Sequence, residues 1–109
     1  MAKAVHLEHT VTADLTAEGR EAHRAYAARH TRGDESVAFR AMVDAVDLDD
    51  MPIPEAVSIS GKEMSRLVVK VNDEQLAKID EMTRRWSGDV RMDALRRLVA
   101  HFTMEGRGS

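Results

Sequence analysis

Residues 66–75 read Arg66-Leu67-Val68-Val69-Lys70-Val71-Asn72-Asp73-Glu74-Gln75, and the fold turns on how this stretch divides. Leu67, Val69 and Val71 fall on one face of a strand and Arg66, Val68 and Lys70 on the other. Asn72 followed three residues later by Gln75 has the form of a capping box, in which side chains satisfy the orphan N–H groups of a helix start. Leu76, Ile79, Met82 and Trp86 then recur at helical spacing. Ser87-Gly88-Asp89 breaks that helix and is expected to cap the next. Leu95, Leu98, Val99 and Phe102 at i, i+3, i+4 and i+7 form one apolar stripe of a second helix. The predicted order is strand, helix, tight turn, helix.

Residues 66–102 in this order resemble the ribbon-helix-helix proteins of the MetJ/Arc class. The resemblance covers about a third of the chain and rests on a pattern, not a fixed string. In that family two short strands pair antiparallel and the ribbon enters the DNA major groove. The resemblance therefore implies that Arg66, Val68 and Lys70 face bases and that Leu67, Val69 and Val71 face the core. It also implies that backbone N–H groups around Ser87, Gly88, Asp89 and Arg91, at the start of the second helix, meet a phosphate. Val68 departs from the family, which usually has a polar residue there. A valine facing a duplex has an apolar contact such as a thymine methyl to make.

The N-terminal part carries a fainter version of the same pattern. Val5, Leu7, His9, Val11, Ala13 and Leu15 alternate with mostly polar residues, and Thr16 is an N-cap candidate. Residues 17–30 read as a helix with Ala22, Tyr26 and His30 turned inward. Thr31-Arg32-Gly33-Asp34 ends it. Phe39, Met42, Val43 and Val46 then repeat the i, i+3, i+4, i+7 stripe. A shift of 56 residues lays Phe39 on Leu95, Met42 on Leu98, Val43 on Val99, Val46 on Phe102, Leu15 on Val71, Thr16 on Asn72 and Arg40 on Arg96. Strand end, cap and stripe agree under one offset, although the turn glycines sit one position out of register.

A β-α-α unit of about 40 residues buries too little apolar surface to fold alone. A joined copy supplies the partner at high effective concentration. The fold class expected is mainly α with a short antiparallel β-ribbon: ribbon-helix-helix, with two β-α-α halves in one chain forming a pseudo-dimer. Its parts are residues 1–46, an acidic Pro-containing linker at 47–65, the second half at 66–104 and a disordered tail at 105–109. The tandem layout is similar to the TraY-like accessory proteins of plasmid conjugation. It implies that Thr10, Thr12 and Asp14 point outward opposite Arg66, Val68 and Lys70. Thr10 and Thr12 then join the base-contacting set, and Thr31 and Arg32 in the matching turn join the phosphate-contacting set. Asp14 is the anomaly. Near phosphates its carboxylate needs a cytosine amine or Lys70 as partner.

Composition narrows the function. The chain has 109 residues and no cysteine, so disulfides and thiolate zinc sites are excluded, and a reducing cytoplasm is expected. No apolar run reaches the roughly 18 residues of a membrane span, and the N-terminus lacks a signal-peptide core. Net charge is −3, but residues 47–60 contain four acids and no Lys or Arg, which leaves +1 on the rest. The electrostatic share of DNA binding is therefore expected to be modest, and the acidic run to face away from the duplex. No glycine-rich phosphate loop, His-Glu-x-x-His pair or cysteine nucleophile appears, so no enzyme activity, cofactor or metal is expected. His6, His9, His23 and His30 have no diagnostic ligand spacing and read as surface or core residues.

The expected function is sequence-specific recognition of double-stranded DNA, as a repressor or a plasmid or phage accessory factor, with self-association on DNA. The alternative class is a protein-interaction module such as an antitoxin, with the fold used for dimerisation and another segment for a protein partner. Against it, the clearer β-α-α unit comes last and leaves only a short tail. A third arrangement pairs residues 66–102 with a second copy and makes residues 1–46 a helical appendage.

Overall fold

The structure, a computed structural model, describes residues 7–108, with side chains described for residues 7–103. The element order is β1 (His9–Thr16), α1 (Ala17–His30), α2 (Glu35–Ala45), β2 (Met64–Val71), α3 (Asp73–Ser87) and α4 (Arg91–Gly108). β1 and β2 form a two-stranded antiparallel sheet. The protein is thus a small α/β domain ordered β-α-α-β-α-α. Val5 and His6, expected in the first strand, lie outside the described residues, and Leu7 and Glu8 precede it.

The alternation in both strands sets their faces. Val11, Ala13, Leu15, Leu67, Val69 and Val71 are buried, while Arg66, Val68 and Lys70 are exposed. The helices close over the buried face. Phe39, Met42, Val43 and Val46 from α2 and its end join Leu95, Leu98 and Val99 from α4 and Ile79, Met82 and Trp86 from α3 in one core. Phe102, the last member of the α4 stripe, is only half-buried.

Local chemistry fixes the helix starts. Asn72 Oδ1 accepts from Gln75 N–H at 2.7 Å and Gln75 Oε1 accepts from Asn72 N–H at 3.0 Å, which completes the capping box. Thr16 Oγ1 caps α1 by accepting from Gly19 N–H, and Asp34 caps α2 by accepting from Val37 N–H. α4 differs from the expectation for residues 87–89. The residue before it is Val90, whose carbonyl accepts from Ala94 N–H, while the Ser87 hydroxyl turns to the Asp93 carboxylate at 2.7 Å. Neither Ser87 nor Asp89 stands at the cap position, because the turn runs one residue longer than the sequence suggests.

Three other expectations need correction. The inward face of α1 carries His23 and Ala27, while Ala22 and Tyr26 are half-buried and His30 is exposed, 4.4 Å from the Tyr26 ring. Alanine is spread around this helix, so its pattern leaves the phase open. β2 begins at Met64, so the connection is shorter than residues 47–65, and it starts as a turn in which Asp47 Oδ1 accepts from Asp49 and Asp50 N–H. The backbone of α4 is helical to Gly108, past residue 105, where a tail is expected; Met104 and Glu105 are good helix formers and the first weak one is Gly106.

The 56-residue offset holds for the helix starts, while the strands lie 55 residues apart. α1 and α3 begin at residues 17 and 73, and α2 and α4 at 35 and 91. The turns match as well: the counterpart of Gly88 (φ 71°) is Arg32 (φ 55°), so the left-handed position is kept while the glycine moves to Gly33. A left-handed residue outside glycine is strained by about 1–2 kcal/mol.

His23 breaks the correspondence, since its counterpart is Ile79. Both are fully buried, and neither ring nitrogen of His23 has a hydrogen-bond partner. Nδ1 lies 3.6 Å from Glu35 Oε1, within ion-pair range but too far for a hydrogen bond. Burial lowers the His23 pKa, against the raising effect of Glu35 and with a further lowering from Arg20. The unfolded chain therefore takes up a proton at this ring more readily than the folded one. Stability is full above the ordinary histidine pKa of 6.5 and falls as pH drops below it. Glu35, held low chiefly by the Arg20 hydrogen bond and opposed by burial, adds a second loss below its ordinary 4.5. His23→Leu is expected to raise the unfolding free energy by about 1–3 kcal/mol and to flatten the slope of stability in the range below pH 6.5. Urea melts across that range check this; an unchanged slope would show that the ring is not the group responsible.

Candidate nucleic-acid interface

The outward face of the ribbon holds Thr10, Thr12 and Asp14 from β1 and Arg66, Val68 and Lys70 from β2. The register pairs Thr10 with Lys70, Thr12 with Val68 and Asp14 with Arg66. Thr10, Arg66, Val68 and Lys70 are exposed and Thr12 and Asp14 half-buried. Val68, 53% exposed, is the most apolar point of this face. Asp14 meets Arg66 Nε through Oδ1 at 3.4 Å, so its ion-pair partner is the residue across the ribbon and not Lys70.

A two-stranded sheet leaves each strand an outer edge with no strand beside it. Arginines from the helices occupy carbonyls there. Arg40 of α2 donates to Lys70 O at 3.0 Å, Arg96 of α4 to Asp14 O at 2.7 Å, and Arg20 of α1 to Arg66 O at 2.6 Å. The first two are one contact made twice, because Arg40 and Arg96 are 56 residues apart and so are Asp14 and Lys70. Arg20 has no such twin. It also binds Glu35 Oε1 at 2.8 Å and ties α1 to both α2 and the ribbon. These clamps were not legible as contacts. The one signal for them was the matched spacing of Arg40 and Arg96.

The expected phosphate contacts are less uniform. At the start of α4, Asp80, Thr83, Arg84, Gly88, Asp89 and Arg91 line a shallow cavity of about 290 Å³. Arg91 is paired with Asp80 at 2.9 Å and Arg84 with Glu81. Burial raises the Asp93 carboxyl, yet the Ser87 hydroxyl and Arg97, with the charges of Arg97 and Arg96, hold it below the ordinary carboxylate value. Its negative charge already stands in the first turn of α4. In the first half, Thr31 Oγ1 is engaged by the carbonyls of Ala27 and Asp34, Arg32 is exposed, and the Asp34 carboxylate caps α2. Both helix starts thus carry acids of their own. Of the six residues, Arg91 and Arg32 are the two cations.

Elsewhere, Arg85 binds Leu48 O and Asp49, and Arg97 binds Asp93 and Pro54 O. Arg97 also borders an open cleft of about 640 Å³ shared with Ala22, Pro54, Val57 and Ala100. Among the described residues no group of His, Asp and Glu is placed to hold a metal ion. No helix among them is long and apolar enough to cross a membrane. The chain matches no protein-family model, no curated protein and no solved structure.

Proposed function

We propose that this chain binds double-stranded DNA as a tandem ribbon-helix-helix protein, reading the major groove with the outward face of β1 and β2. The observation that carries the reading is the centre of the ribbon. Thr12 pairs with Val68, and these residues are themselves 56 apart, like the starts of α1 and α3 and of α2 and α4. The same offset therefore runs through the strand centre, the helix starts and the Arg40 and Arg96 clamps, as a pseudo-twofold axis between Thr12 and Val68 would require. A ribbon two strands wide, with strands about 4.8 Å apart, fits a major groove about 12 Å wide.

Chemistry on this face supports the same reading. Arg66 and Lys70 are donors for guanine, Thr10 and Thr12 bond either way, and Val68 offers a surface to a thymine methyl. The face is cationic at two corners and anionic at one, and no net positive field surrounds it, so binding leans on base contacts and has a shallow salt slope. The two strands differ at every outward position, so the preferred site lacks the palindromic symmetry that identical halves would favour. Selection of bound fragments from random duplex DNA tests this. Enrichment of one asymmetric motif is expected, and a pool that stays random through successive rounds would refute DNA recognition.

A further inference from the structure

We propose that Asp14 and Arg66 act as a single reading unit for a G·C base pair, with Arg66 on the guanine and Asp14 on the cytosine amine. The inference rests on the DNA-binding reading above and names which base pair one end of the ribbon selects.

The two residues are direct cross-strand partners on the outward face. Their contact uses Arg66 Nε and Asp14 Oδ1, and both terminal nitrogens of the guanidinium and the second carboxylate oxygen take no part in it. Their backbones are held at the strand edges: Arg20 binds Arg66 O, Arg96 binds Asp14 O, and Asp14 N–H faces Met92 sulfur at 3.4 Å. This corner is therefore the most firmly anchored of the outward positions. Stability does not account for the pair. Its side chains are 67% and 33% exposed, and surface ion pairs contribute little to folding.

Side by side, the pair offers two donors and then an acceptor. Across the major groove a G·C pair presents guanine N7 and O6 as acceptors and then cytosine N4–H as a donor. An A·T pair presents acceptor, donor, acceptor, which opposes this order at two of three places. The carboxylate that looked out of place beside phosphates is thus matched by the one major-groove donor next to a guanine. The counterpart of this corner under the 56-residue offset is Thr10 with Lys70, where the Lys70 ammonium stands in place of the Asp14 carboxylate and the Thr10 hydroxyl, which both donates and accepts, in place of the Arg66 guanidinium. That end is expected to tolerate more than one base pair.

N4-methylcytosine tests the unit, because it keeps its pairing with guanine and carries a methyl in the groove where the amine hydrogen was. The probe is the selected duplex with each cytosine replaced in turn, and affinity is read for the wild-type chain and for Asp14→Ala. One cytosine is expected at which methylation weakens the wild type about tenfold, in the range of a base contact, while Asp14→Ala, already weaker on the unmodified duplex, loses no more. The scan on the wild type needs no variant, and a thermal melt checks that Asp14→Ala is folded. If no cytosine shows the penalty, or if Asp14→Ala shows it equally, the reading unit is overturned while DNA binding stands. If no duplex is selected at all, DNA recognition falls and the unit with it.

Discussion

Truncating Leu98 to alanine is expected to lower the unfolding free energy by about 2–5 kcal/mol, the range for a buried leucine. Leu98 is fully buried, as are Leu95 and Val99 beside it on α4 and Met42 and Val43 on α2. The two stripes meet the inner face of the ribbon in one core, so the cavity left by truncation has packed neighbours on every side and little means of collapse. A domain of this size has about 5–15 kcal/mol in total. The variant therefore loses a large share of its stability, and both strands and both helix pairs are expected to melt together. Urea denaturation followed by circular dichroism measures the change. A midpoint within experimental error of the wild type would show that the stripe is not the core.

The second large effect concerns the ribbon. Arg66→Ala and Lys70→Ala are each expected to weaken binding to the selected site by about 1–3 kcal/mol if both contact bases. Four residues along a strand separate the two by about 13 Å, beyond the distance at which neighbouring substitutions couple. The double variant should therefore lose about 2–6 kcal/mol, enough to erase the preference for the site. Its melting temperature should stay near the wild type, because both side chains are exposed. Titration against the selected duplex and a scrambled one separates two roles. Loss confined to the selected duplex marks base contacts, and equal loss on both would mean that the two cations touch only phosphate.

Most of the fold could be read from local pattern. Strict alternation in residues 66–71 marked the buried face, the Asn72 and Gln75 pair marked the start of α3, and the two i, i+3, i+4, i+7 stripes marked α2 and α4. Each of these signals is short-range, and the physics that produces it acts within a few residues. The phase of α1 was not legible, because alanine packs on any side of a helix and His23 is a poor advertisement for a core position. The end of the second turn was missed because Val90, with no capping side chain, precedes α4. The outward residues of the ribbon followed from the period of two once the strands were placed. What joins them did not. The Asp14 and Arg66 pair and the three arginine clamps depend on register and helix packing, which a single sequence encodes only through long-range contacts.

Because β1 and β2 belong to the same molecule, the ribbon forms at any dilution, and a cell holding a handful of copies has it as fully built as one holding thousands. A gene change also alters one strand and leaves the other as it was. A two-chain ribbon must accept every substitution twice. Here the corners are free to differ one residue at a time, and Thr10 and Arg66, 56 residues apart, are different residues.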